Sequence, residues 1–281
     1  MTAAEKMMWS TYAVATPKGM ATCVVVSRRD PSAPGGIVPV LVTSAHVLSV
    51  APHGPYFLAI RTPNPAANPD VAILELKPAW LAQPAYVRHP HHDIAALELR
   101  IPPEMADVVT FPSFINENAI ARRGDEPHAG DPISVLGFPT VFPGTEGAFP
   151  ILRDGRIASY SAGSSRDWEK FLINATVYSG DSGGPVFAAR RRGAPKLLGL
   201  VTERIGEKPG EVPLAVAVNA SVIRETLQLL AERDRRFSAK RVVSNTSRGS
   251  RVKLMAPSDM FMRVVHSKPP SALPIPLAPR N

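Results

Sequence analysis

Thirty prolines are spread through the 281 residues. Proline removes a helix hydrogen bond and clashes with the preceding turn, so a chain punctuated this often is not helix-dominated. Between the prolines lie short apolar, β-branched runs. One group occupies 21–27, 37–43, 56–61, 71–76 and 94–99; a second occupies 133–137, 155–159, 171–176, 184–188, 197–201 and 213–218. About a dozen short strands separated by turns predict an all-β barrel architecture. The two groups predict a first barrel over about 10–115 and a second over about 130–220. Segment 102–132, with Pro, Gly and mixed charges, reads as their connection. One helix is expected over about 220–233, with Asn219 or Ser221 as N-cap and apolar residues at helical spacing from Val222 to Leu230.

The run Gly180-Asp181-Ser182-Gly183-Gly184-Pro185 suits neither a helix nor a core strand. It suits a tight loop that exposes one hydroxyl and turns its own N–H groups toward whatever that hydroxyl attacks. A serine hydroxyl is a weak nucleophile near neutral pH and needs a base within reach. His46 closes the apolar run Leu-Val-Thr-Ser-Ala-His, and Asp93 opens Asp-Ile-Ala-Ala-Leu. The imidazole of His46 suits proton uptake and return, and Asp93 can fix its tautomer. The order is His46, Asp93, Ser182, at separations of 47 and 89 residues. That constellation occurs in other orders on unrelated folds, so the order is informative.

These segments resemble the histidine, aspartate and serine motifs of the trypsin/chymotrypsin superfamily of serine peptidases, over about residues 10–232. Leu136-Gly137-Phe138-Pro139, Gly155-Arg156-Ile157-Ala158-Ser159 and Ala215-Val216-Ala217-Val218-Asn219 are similar to the second barrel of the bacterial HtrA/Deg-type branch. The Pro-rich, basic residues that follow do not look like a PDZ domain. The resemblance implies a chymotrypsin-like double β-barrel with a C-terminal helix, acting on protein or peptide substrates without a cofactor or metal. It implies Ser182 as nucleophile, His46 as base, Asp93 as orienting carboxylate, and the N–H groups of Gly180 and Ser182 as oxyanion hole. Thr176 would lie at the base of the specificity pocket, and Gly199–Arg204, with Thr202 and Arg204, would form its wall. A neutral Thr176 argues against a Lys/Arg preference and for a small or medium apolar residue. Asp181 meets a freshly cleaved N-terminal amine in zymogen-type relatives. No activation-cleavage motif precedes the first strand here, so another cation or solvent is the expected partner.

Net charge is +8, but Arg233–Asn281 holds eleven Lys/Arg against two Asp, leaving about −1 for residues 1–232. The folded body is therefore not expected to read nucleic acid, and no DNA-specific motif is present. The peptidase domain is expected to end near 236. Segment 237–281 reads as a basic, Pro-rich tail, poorly ordered as a linker, docking to a partner, or folding back across the cleft. The single cysteine, Cys23, sits in an apolar run and reads as a buried core thiol. With no possible internal disulfide, no secretory apolar core and no transmembrane run, a cytoplasmic location is expected. His89-Pro90-His91-His92 reads as a solvated loop rather than a metal site, and Arg190-Arg191-Arg192-Gly193 as a hairpin turn. Two other functions share the motifs: a peptidase-like binding scaffold with little turnover, and an esterase.

Overall fold

The computed structural model describes residues 2–17, 19–31, 33–62, 70–78, 84–102, 105, 109, 111, 113–122, 124–125, 127–141, 149–159, 169–188, 195–206, 213–247 and 260–266. The Arg190–Gly193 turn and the 267–281 segment lie outside the described residues. No described helix is long and apolar enough to cross a membrane.

The chain opens with helix α1 (Ala3–Ser10), started by a capping box in which the Thr2 hydroxyl accepts from the Glu5 N–H and the Glu5 carboxylate from the Thr2 N–H. The first half then contributes β1 (Thr11–Thr16), β2 (Gly19–Arg29), β3 (Ile37–Thr43), the short helix α2 (Ala45–Ser49), β4 (Tyr56–Thr62), β5 (Asp70–Pro78), β6 (Val87–Arg88) and β7 (Ala95–Glu98). The connection carries β8 (Ile115–Asn116). The second half contributes β9 (Pro132–Gly137), β10 (Ile151–Ile157), β11 (Lys170–Asn174), β12 (Pro185–Ala188), β13 (Leu197–Ile205) and β14 (Leu214–Asn219), followed by helix α3 (Ala220–Ser247) and β15 (Met260–His266).

The second half closes into a six-stranded barrel, β10-β11-β14-β13-β12-β9. The first curls into a sheet ordered β15-β5-β4-β1-β2-β3-β7-β6, with β8 parallel to β2. This is the expected all-β, chymotrypsin-like double-barrel arrangement with a C-terminal helix.

The middles of the central strands, such as Cys23–Val26 of β2 and Val40–Val42 of β3, are apolar at every position because both their faces are covered. Side chains alternate along a strand. Cys23 and Val25 of β2 therefore enter the core inside the first half, while Val24 and Val26 join the core shared with the second. Leu41 and Leu97 face inward; Val40, Val42 and Ala96 face the seam. Each fully buried aliphatic side chain stabilises the fold by roughly 1.5–3 kcal/mol.

Two features of the C-terminal region differ from the sequence reading. Helix α3 runs to Ser247 rather than ending near 233, since neither Pro nor Gly interrupts 220–247. The tail also contributes β15, antiparallel to β5, with Arg263 opposite Glu75 and Met262 and Val264 packed on the first-half core. Arg263 and Glu75 form an ion pair. Residues 260–266 are therefore part of the sheet.

Candidate active site

His46 lies in the first turn of α2, where β3 ends at the seam. Three bonds fix that corner. The Thr43 hydroxyl donates to Thr22 O (2.7 Å), the Ser44 hydroxyl to Val201 O (3.2 Å), and Ala45 N–H to Asp93 O (3.2 Å). Asp93 sits in a tight segment before β7, closed by His89 N–H donating to Ile94 O (2.9 Å). One Asp93 oxygen accepts from the His46 backbone N–H (2.8 Å), and the other lies 2.6 Å from His46 Nδ1.

A carboxylate only accepts, so Nδ1 carries the hydrogen and Nε2 presents its lone pair. The hydrogen bond to Asp93 raises the pKa of the His46 imidazolium above its ordinary value, against the opposing effect of burial. Burial pushes Asp93 the other way, toward protonation. The hydrogen bond and charge of His46, its backbone N–H and the charge of Arg88 outweigh that push and hold Asp93 below the usual carboxylate range.

The Ser182 loop is clamped against the same corner. Thr22 N–H donates to Ser182 O (3.0 Å), and the Thr22 hydroxyl donates to Gly180 O (2.7 Å) while accepting from Phe138 N–H (3.0 Å). Gly183 N–H donates to Val201 O, and Val201 N–H to Gly184 O, both at 2.8 Å. Gly183 has φ +82°, and a Cβ there would lie 2.1 Å from Thr43 Oγ1 and 2.2 Å from Thr22 O. Only glycine lets the serine loop come this close to the strand leading to His46. Gly180 has φ +98°, and a Cβ would lie 2.3 Å from Phe138 O.

The loop's amides divide into two sets. Asp181, Gly183 and Gly184 donate to Tyr178 O, Val201 O and Asp181 O. The N–H groups of Gly180 and Ser182 donate to no acceptor among the described residues. Ser182 is half-buried, and no hydrogen bond joins its hydroxyl to His46. The structure thus hydrogen-bonds His46 to Asp93 and seats the Ser182 loop on Thr22 and Thr43.

Asp181 is fully buried and has found its cation. Arg153 on β10 makes a bidentate pair with it, Nη1 to Oδ2 at 2.5 Å and Nη2 to Oδ1 at 2.8 Å. The same carboxylate accepts from Tyr178 N–H (2.7 Å), and Arg153 also donates to Thr176 O (3.2 Å). Thr22 and Arg153 went unread in the sequence. A threonine amid apolar β2 and an arginine in Leu-Arg-Asp-Gly-Arg are ordinary locally, and their partners lie far along the chain.

Of the pocket residues, Thr176 is exposed. Thr202 occupies the bulge between Val201 and Glu203, its hydroxyl 3.5 Å from Val216 O. Arg204 is exposed further along β13. The His89–His92 segment is not the solvated loop expected. His89 is buried, and the rings of His89 and His92 pair with Glu225 and Glu169. Cys23 is buried, and that burial pushes its thiol far up.

No curated protein matches this chain. Among solved structures, an inactive serine-to-alanine mutant of Rv3671c from M. tuberculosis H37Rv is 18% identical, covering 82% of this chain and 89% of its own, with TM-score 0.48. The HtrA-type protease AlgW with a tripeptide is 18% identical, covering 81% of this chain and 63% of its own, with TM-score 0.50. The trypsin-like peptidase domain model matches residues 21–195, a span that holds His46, Asp93 and Ser182 and more than half of the sequence, and the chain belongs to that family.

Proposed function

We propose that the chain is a serine endopeptidase working through an acyl-enzyme, with Ser182, His46 and Asp93 as its triad. The observation that carries the reading is the His46 Nδ1–Asp93 Oδ2 hydrogen bond of 2.6 Å, formed at the corner where the Ser182 loop is seated. Ser182 Oγ attacks the scissile carbonyl as His46 Nε2 takes its proton. Asp93 stabilises the imidazolium that forms. Negative charge developing on the carbonyl oxygen is met by the two uncommitted N–H groups, Gly180 and Ser182. Losing one such donor typically costs about 3 kcal/mol of transition-state stabilisation. The proton passes to the leaving amine, and water then releases the acyl group by the same steps in reverse.

The β13 segment Thr202–Arg204 is the proposed rail for the substrate backbone, with Thr176 facing the residue before the scissile bond. A small or medium apolar side chain suits the neutral Thr176, and a cleavage profile dominated by Lys or Arg would reject that preference.

A fluorophosphonate probe tests the central claim. Wild type should be labelled at Ser182 and cleave protein substrates, while Ser182→Ala should do neither. A folded wild type that resists the probe would be a binding scaffold, the reading favoured by the missing Ser182–His46 hydrogen bond. Turnover of small esters without any protein cleavage would instead make it an esterase.

A further inference from the structure

The candidate triad is divided between the two halves of the molecule. His46 and Asp93 come from the first, Ser182 from the second. Something must set how the His46–Asp93 unit sits across the seam. The segment carrying Asp93 holds two histidines that the proposed chemistry does not use, and both reach away from the first half. We propose that His92 and His89 are positioning residues for Asp93, tying its segment to Glu169 before β11 and to Glu225 on α3. This rests on the serine peptidase reading.

His92 immediately precedes Asp93. Its Nε2 is hydrogen-bonded to a Glu169 carboxylate oxygen. Glu169 is itself fixed, since its carbonyl accepts from Asn219 N–H (2.8 Å) at the end of β14. His89 works from inside the turn. Its Nδ1 accepts the backbone N–H groups of both His91 (3.3 Å) and His92 (3.1 Å), and its Nε2 lies 3.3 Å from Glu225. The two imidazoles lie against each other at a tilt of 40°, with centroids 4.9 Å apart. A ring nitrogen that accepts two N–H groups carries no hydrogen, so Nε2–H of His89 is the donor to Glu225.

The cluster is therefore a relay of fixed tautomers running from α3 and β11 to the residue next to Asp93. Simple space-filling would not need it. The Nδ1 of His92 is buried without a hydrogen-bond partner among the described residues, a cost that an apolar side chain of similar size would avoid. Three of the four ring nitrogens of His89 and His92 are hydrogen-bonded to protein groups.

The test measures Ser182 labelling by a fluorophosphonate and peptide turnover in the full chain. Variants are His92→Leu, His92→Gln, Glu169→Leu and the double His92→Leu/Glu169→Leu. Displacing an orienting group by a fraction of an ångström is enough to slow chemistry about tenfold or more. His92→Leu should slow labelling and lower kcat by about that factor, with KM and the thermal midpoint little changed. Glu169→Leu cuts the same bond from a half-exposed position that does not endanger folding, and should match it. The double variant should be no slower than either single, as expected for two ends of one interaction. His92→Gln, whose amide places an N–H near that of Nε2, should recover most of the rate.

Variants that label at the wild-type rate overturn the inference alone, since the peptidase reading then stands. So does a loss confined to KM or to the thermal midpoint, which marks a merely structural contact. A folded wild type that takes no label overturns the peptidase reading and this inference with it.

Discussion

At the scale of single residues, one hydrogen bond moves two acidities in opposite directions. In the proposed mechanism His46 must be neutral to take the Ser182 proton, and the pKa of its imidazolium is held above the ordinary value by Asp93. Activity should therefore fall as pH drops through a limb lying above about 6.5. Replacing Asp93 with Asn removes the cause, so the limb should shift to lower pH while kcat/KM falls by about 10⁴-fold. An unshifted limb would show that another group titrates in the profile. Asp181 supports a second prediction. Its partner Arg153 is a side chain already in place, so chain retaining Met1 should be active, and trimming the N-terminus should not raise turnover. Arg153→Met leaves a fully buried carboxylate without its cation, a change that typically costs about 3–5 kcal/mol. Chemical denaturation should show that loss together with reduced labelling of Ser182; unchanged stability would mean that the carboxylate has another way to be satisfied.

Elements differ in how far sequence alone reveals them. His46, Asp93 and Ser182 stand out in the sequence as candidates because the proposed chemistry restricts residue type, and glycines around Ser182 restrict backbone shape; the structure joins His46 to Asp93. Strands β2, β3 and β7 were legible as apolar runs, though not that their alternate faces serve two cores. Strand β15 was hidden by its setting. Met260–His266 contains neither Pro nor Gly, but it lies in a stretch whose charge and prolines dominate any window drawn around it. Its sheet position depends on β5, far away in sequence. Glu75 on β5 is buried, and burial pushes its carboxyl up. Arg263 and Lys77 together overcome that and hold it below the usual range. A chain ending at Ser247 loses Arg263 and the partly buried Met262 and Val264, which should cost roughly 2–4 kcal/mol of first-half stability. Glu75→Leu in the shortened chain should restore part of the loss. An unchanged thermal midpoint on shortening would show that β15 contributes little.

Across the whole molecule, α3 joins the two halves. Val222, Ile223, Leu227 and Leu230 enter the core shared with the second barrel. From the next turns Arg233 donates to Ala85 O (2.8 Å), and Asp234 meets Arg28 and lies beside the buried Glu98 of β7. Burial and the Glu98 carboxyl raise Asp234 to about 6, with Arg233 pulling the other way. The native state thus binds this proton more tightly than the unfolded chain, where the value is about 4. The resulting stability is complete below about pH 4 and is lost as pH rises through about 6. Asp234→Asn keeps a neutral hydrogen-bonding group at every pH. It should gain on the order of 1–2 kcal/mol over wild type above pH 6, a gain that shrinks toward zero near pH 4. Urea midpoints at pH 4 and 7.5 measure both ends of that window. A gain that does not vary with pH would assign the effect to packing. A loss at pH 7.5 would show that the ionised carboxylate anchors Arg28 and Arg233, making α3 held to the first half by charge rather than by a shared proton.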